Sequence, residues 1–203
     1  MSPAHDWKTE DPASRAAIAC AALAHAAESD YIGEPISQLE HALQAAHFGV
    51  QSGARNEVVL AALFHDIGHL IASDAPQMEG LGVLEHERLG AEWLKALGFS
   101  ETVTRLVHSH VQAKRYLCSR NPQYAARLSR ASTGTLAWQG GPMDADEANA
   151  FEADPLFSEI LAIRQWDEMA KDPELEVAPL AHYQPQIEDH LRTHEESKCS
   201  NTP

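Results

Sequence analysis

Apolar side chains recur three and four places apart along most of the chain, a spacing that gathers them on one face of a helix and leaves polar residues on the other. Ile36, Leu39 and Leu43 show it between Pro35 and Gly53, and Ile160 and Ile163 show it after Asp154-Pro155. The starts and stops agree. Pro12 after Asp11 opens an Ala-rich helix to about Glu28, a third helix runs from about Asn56 to His69, and a fourth from about Leu84 to Leu97 with Gly98 as its stop. Ser100 caps a fifth that reaches about Leu117, shorter helices follow Pro122 and Ala131, and Asp144 with Glu147 spells a capping box. A last helix is predicted over about Tyr183 to His194. No segment alternates polar and β-branched residues between hairpin turns, and no repeat is present. The predicted fold class is all-α, a single-domain helical bundle.

Composition narrows the partners. With 203 residues and 44% hydrophobic content the chain can bury one sizeable core. Thirty acidic against fifteen basic side chains give a formal charge of -15, with the basic residues scattered. Nucleic acid and anionic membranes are therefore not expected as partners, and an anionic substrate must be held by local cations against the overall field. Cys20, Cys118 and Cys199 form no CxxC pair, which predicts free thiols in a reducing compartment. The start MSPAHDWKTEDP has no apolar run behind a basic stretch, so no signal peptide and a cytoplasmic protein are expected.

The chemistry begins at His65-Asp66. Adjacent helical residues lie about 100° apart, so both can turn toward one interior site, and His69 falls one turn after His65. An Asp beside a His away from water is costly unless a positive charge neutralises it, and a metal ion supplies one. His41, His86 and His110 fall on three other predicted helices and Asp167 on a fifth, which suits a site assembled in the core of a bundle. Four imidazoles and two carboxylates are enough ligands for two ions. Lys114 lies one turn beyond His110 on the same face, where an anionic ligand best explains it. Arg164, three residues before Asp167, reads either as a substrate contact or as a salt bridge that orients the carboxylate.

The order H...HD...H...H...D on an all-α chain resembles the HD-domain superfamily in its dinuclear branch. The segments SDYIGEPISQLEHALQAA, LAALFHDIGH, HERLGAEWLKALGFSE, HVQAKRYL, LAWQGGPMD and IRQWDE resemble more closely the mixed-valent diiron oxygenases that cleave the carbon–phosphorus bond of 1-hydroxylated aminoethylphosphonates, distant relatives of myo-inositol oxygenase. The resemblance covers about residues 29–192, leaving 1–28 as a helical extension of the same domain and 193–203 as a polar tail. It implies that His41, His65, Asp66 and Asp167 hold a first iron, and that Asp66 bridges to a second iron on His86 and His110. It places His69, Lys114, Ser132 and Gln139 around the phosphonate, with Arg164 as further support, and makes Tyr31 and Glu34 a lid. In that lid Tyr31 covers the first iron until substrate arrives, Glu34 meets the ammonium group, and Gly33 lets the turn move.

The implied reaction uses dioxygen as co-substrate: hydrogen is abstracted from the carbon bearing hydroxyl and phosphorus, oxygen enters there, and phosphate and a carboxylic acid leave. Four neutral imidazoles with only two carboxylates disfavour the fully oxidised pair, which favours a resting Fe(II)/Fe(III) state, while the ligands alone leave other divalent metals open. Asp66, Lys114 and Tyr31 are the residues expected to serve catalysis. Leu81, in the loop Met78 to Gly82, offers a roomier and less polar wall than an aromatic would. The zwitterionic substrate expected is thus 1-hydroxy-2-(trimethylammonio)ethylphosphonate, giving glycine betaine, ahead of 2-amino-1-hydroxyethylphosphonate, giving glycine. An upstream hydroxylase would supply either. The rivals are a metal-dependent HD phosphohydrolase, against which His86 and His110 argue, and a noncatalytic HD module, against which the intact ligand set argues.

Overall fold

The computed structural model describes residues 7–28, 31, 34–72 and 74–200; Gly33 lies outside them, as do the last three residues of the expected tail. Eleven α-helices and no named strand are present among the described residues. They are α1 (Pro12–Ala24), α2 (Gln38–Gln51), α3 (Asn56–Phe64), α4 (Gly68–Ile71), α5 (His86–Ala96), α6 (Glu101–Arg120), α7 (Pro122–Arg127), α8 (Arg130–Trp138), α9 (Ala145–Glu152), α10 (Phe157–Met169) and α11 (Gln184–Ser200). The axis of the bundle is α3: Val58 through Phe64 are all buried, and α2, α6, α10 and α11 pack around it. A helix covered on every side needs no polar face, which is why this segment reads as an unbroken apolar run. On the outside α1 lies along α11, where Arg15 donates to the Leu97 carbonyl at 3.2 Å and pairs with Glu195 at 2.7 Å.

Local signals set most ends. Ser37 and Glu40 form a reciprocal capping box, so α2 starts at Gln38 and not at Pro35. Asp144 and Glu147 form the predicted one. After α5 the chain makes a Schellman turn: Phe99 N–H donates to the Leu94 carbonyl and Gly98 N–H to that of Lys95, with Gly98 at φ +94°. The largest departure from the predicted elements falls at the centre. The helix expected from Asn56 to His69 is broken at His65–Ile67, where Ile67 N–H reaches back to Phe64 and His69 N–H to Asp66, a tighter i to i−3 winding. Then α4 crosses the start of α5 so closely that a Cβ on Gly68 would sit 1.9 Å from the His86 carbonyl oxygen. Gly90, facing Ile67 and Gly68, serves the same approach. These two glycines bring the His65-Asp66 turn against His86. The last helix continues through Ser200, past the predicted end at His194.

Candidate metal centre

The broken turn pushes Asp66 into a space where four imidazoles meet. His41 from α2, His65 at the end of α3, His86 at the start of α5 and His110 from α6 are all at most 4% exposed. Their Nε2 atoms come together in pairs: His41 and His65 at 3.1 Å, His86 and His110 at 3.2 Å. Asp66 faces both. Its Oδ2 lies 3.7 Å from His41 Nε2 and 3.5 Å from His65 Nε2, and its Oδ1 lies 3.4 Å from His86 Nε2 and 3.5 Å from His110 Nε2. Asp167 on α10 adds Oδ1 to the first pair, 3.5 Å from His41 and 3.9 Å from His65. Its other oxygen is held by Arg164 Nη1 at 2.5 Å. Arg164 is itself tied to Tyr124 and Glu168, so the ion-pair reading of this residue has its geometry, while the guanidinium also lines the cavity.

The second nitrogen of each ring decides what these pairs can be. Nδ1 of His41, His65 and His110 lies 2.7 Å from the backbone carbonyls of Ala170, Ala62 and Val107, and that of His86 lies 3.3 Å from the Val83 carbonyl. A carbonyl only accepts, so each Nδ1 carries the proton and each Nε2 presents a lone pair. Two lone pairs about 3 Å apart repel unless a cation stands between them, and about 3 Å is the separation of two ligands at right angles on one ion with bonds of about 2.1 Å. A proton would serve poorly, because burial, with His65 adding to it, lowers the His41 pKa to about 4. Burial works against a charged Asp66, and four Nε2 lone pairs give it no donor, so the same cation would also keep the carboxylate ionised. Two groups among the described residues could thus each hold a metal ion, one of His41, His65 and Asp66 and one of Asp66, His86 and His110, sharing the one carboxylate. The donor set is nitrogen and oxygen only, which suits iron.

His69 is the exception. Its ring stacks on His86 at 3.9 Å, but its Nδ1 accepts from the Val83 N–H at 3.0 Å. The proton of the neutral ring is then on Nε2, which makes His69 a donor where the four others are acceptors. Burial and the neighbouring His86 hold its pKa down to about 3, so the ring stays neutral.

A cavity of about 410 Å³ opens over these groups. Tyr31, Asp66, His69, Lys114, Ser132, Gln139, Arg164 and Asp167 line it, and so does Leu81, packed against Gly134. Lys114 is 4% exposed; its ammonium donates to Thr135 Oγ1 at 2.8 Å, and burial, with Arg164 nearby, lowers its pKa to about 8. Gln139 Oε1 is buried with no internal partner, the sign of an amide kept for something that enters. Tyr31 stacks on His41 with ring centroids 3.9 Å apart, and its hydroxyl lies 3.5 Å from Asp167 Oδ1. Glu34 is not on the wall. Its carboxylate is engaged by Lys171 at 2.8 Å. Thr135, Gln38 and Gln77 line the cavity unforeseen, since only the packing of α8, of α2 and of the turn before α5 brings them there. That turn is a tight hairpin: Gln77 pairs with Val83, and Glu79 and Gly80 at its tip both have positive φ.

Residues 38–156, which include five of the six converging side chains, match the HD domain. The chain belongs to the HD-domain family. An uncharacterised protein of Acanthamoeba polyphaga mimivirus is 41% identical over 157 residues, 76% of this chain and 72% of that one. A 1-hydroxy-2-(trimethylamino)ethylphosphonate dioxygenase (glycine-betaine-forming) of Leisingera caerulea is 39% identical over 168 residues, 82% of this chain and 85% of its own. A hydroxymethylphosphonate dioxygenase of Gimesia maris is 40% identical over 163 residues, 79% of this chain and 81% of its own. Within the HD-domain family the chain falls in the branch of these phosphonate oxygenases. No helix among the described residues is long and apolar enough to cross a membrane.

Proposed function

We propose that this protein is a diiron oxygenase that uses dioxygen to cleave the carbon–phosphorus bond of a 1-hydroxyphosphonate, with 1-hydroxy-2-(trimethylammonio)ethylphosphonate as its substrate and glycine betaine and phosphate as products. The observation that carries the reading is Asp66, whose two oxygens each face a separate pair of imidazole lone pairs. His41, His65, Asp66 and Asp167 would hold the first ion; Asp66, His86 and His110 the second. A hydrolytic HD site built on one ion leaves His86 and His110 without a task. The iron pair supplies the one-electron steps by which dioxygen reacts with a closed-shell substrate, and the four electrons come from the C–H and C–P bonds that break.

The chain's own side chains do the rest. Lys114, His69 Nε2–H, Ser132 and Gln139 bind the phosphonate oxygens, and Lys114 stabilises the charge that gathers on phosphorus as the bond to carbon breaks. Met78, Leu81, Val83 and Val111 form an apolar wall suited to methyl groups. Tyr31 covers the first group of ligands, and Arg164 keeps Asp167 turned toward it. A hydroxylase acting on the parent phosphonate would supply the substrate. The test is turnover of the iron-loaded protein under labelled dioxygen: phosphate release should require oxygen and place one labelled atom in the carboxylate. Equal release without oxygen, or rapid cleavage of simple phosphate esters, would move the assignment to hydrolysis.

A further inference from the structure

One cation touches both Glu34 and Tyr31. Lys171 Nζ lies 2.8 Å from Glu34 Oε1 and 5.8 Å from the centre of the Tyr31 ring, and the two charged side chains are only 21% and 20% exposed. The backbone on both sides of Lys171 is bolted to α2. The Ala170 carbonyl accepts from His41 Nδ1, and the Gln44 amide brackets Asp172, donating to its carbonyl at 2.7 Å and accepting from its N–H at 3.1 Å. Lys171 therefore stands at a fixed place beside the first group of ligands. Tyr31 lines the cavity, whereas Glu34 and Lys171 do not. The carboxylates on the wall, Asp66 and Asp167, both face imidazoles. Among the described residues no lining carboxylate is left for a substrate cation, and Glu34, three places after Tyr31, already has a partner.

We propose that Lys171 is a specificity-determining residue that competes with the cationic group of the substrate for Glu34. This inference rests on the phosphonate reading of the site. With a cationic tail in the cavity, one carboxylate faces two cations, and Lys171, on a flexible four-carbon stem, must give way. With an uncharged tail, Lys171 keeps a mostly buried carboxylate neutralised that would otherwise repel the phosphonate. The ion pair thereby sets the selectivity: a cationic tail, such as that of the proposed trimethylammonio substrate, reaches Glu34 only by displacing Lys171, whereas an uncharged tail leaves the pair intact.

Two ligands separate the cases: hydroxymethylphosphonate, with no cation, and 1-hydroxy-2-(trimethylammonio)ethylphosphonate. Their dissociation constants are measured by calorimetry on iron-loaded protein without oxygen, for wild type, Lys171→Met, Lys171→Arg and the double variant Lys171→Met with Glu34→Gln. In Lys171→Met the ratio of the two constants should move at least about tenfold in favour of the cationic ligand, the scale of one partly buried charge contact. Lys171→Arg and the double variant should both return it to near the wild-type ratio, the first by restoring the pair and the second by removing both charges. An unchanged ratio in Lys171→Met, or equal weakening of both ligands, would overturn the proposal and leave the phosphonate reading standing. Failure of both ligands to bind any of the four proteins would overturn both.

Discussion

Lys114 brings its charge into the cavity at a cost, since burial, with Arg164 close by, lowers its pKa to about 8. The ammonium is present below that value and lost above it, so phosphonate affinity should fall as the pH rises through about 8. Lys114→Arg should carry the affinity to higher pH, because a guanidinium keeps its proton there. Anaerobic calorimetric titrations one unit either side of that value check both; a flat profile in the wild type would show that Lys114 does not hold the phosphonate. The six side chains that converge were legible in the sequence, because histidine and aspartate on five separate helices have few structural reasons to occur in that order. The companions of Lys114 were not: Thr135 lies 21 places away on another helix and carries no signal of its own. Glu34 shows the same limit from the other side. Its partner Lys171 is 137 places distant, and nothing local says that the carboxylate is already engaged.

Helices were easier to read than the breaks between them. Proline, glycine and capping residues mark most ends, but the interruption at His65–Ile67 lies inside an apolar run whose period does not change, and the tight winding follows from α4 meeting α5. Gly68 is the point of contact. Gly68→Ala would drive a methyl group into the His86 carbonyl, and relief by backbone movement should cost about 3 kcal/mol. For a chain of this size that is about 6 to 12 °C in melting temperature. The same movement shifts His86 away from Asp66, so the variant should also lose iron, chiefly from the pair formed by His86 and His110. Scanning calorimetry with metal analysis checks this, and full metal content at a lowered melting temperature would show that the close approach serves packing alone. The helix end past His194 was misread for a simpler reason: a polar surface helix has little period to show.

The six side chains that would hold the ions come from α2, the turn after α3, α5, α6 and α10, so ion binding and folding of the bundle would form one equilibrium. Iron at a hundredfold over its dissociation constant should add about 2.7 kcal/mol of stability. Stripping it with a chelator should lower the melting temperature by about 5 to 11 °C, and iron should restore it; identical melting with and without chelator would exclude the shared site. The hydrogen bonds behind the imidazoles have an effect on a different quantity, the number of mobile protons. Nδ1 of His41, His65 and His110 faces a carbonyl of a buried residue, Ala170, Ala62 or Val107, and reaches water only when the bundle opens, whereas His86 Nδ1, 3.3 Å from the Val83 carbonyl, also has Glu87 Oε2 at 3.5 Å. The first three rings keep their Nδ1 protons through a reaction. The cavity therefore draws its mobile protons from groups such as Tyr31, His69, Lys114 and the substrate itself, and of the four rings His86 is the one with a carboxylate behind it.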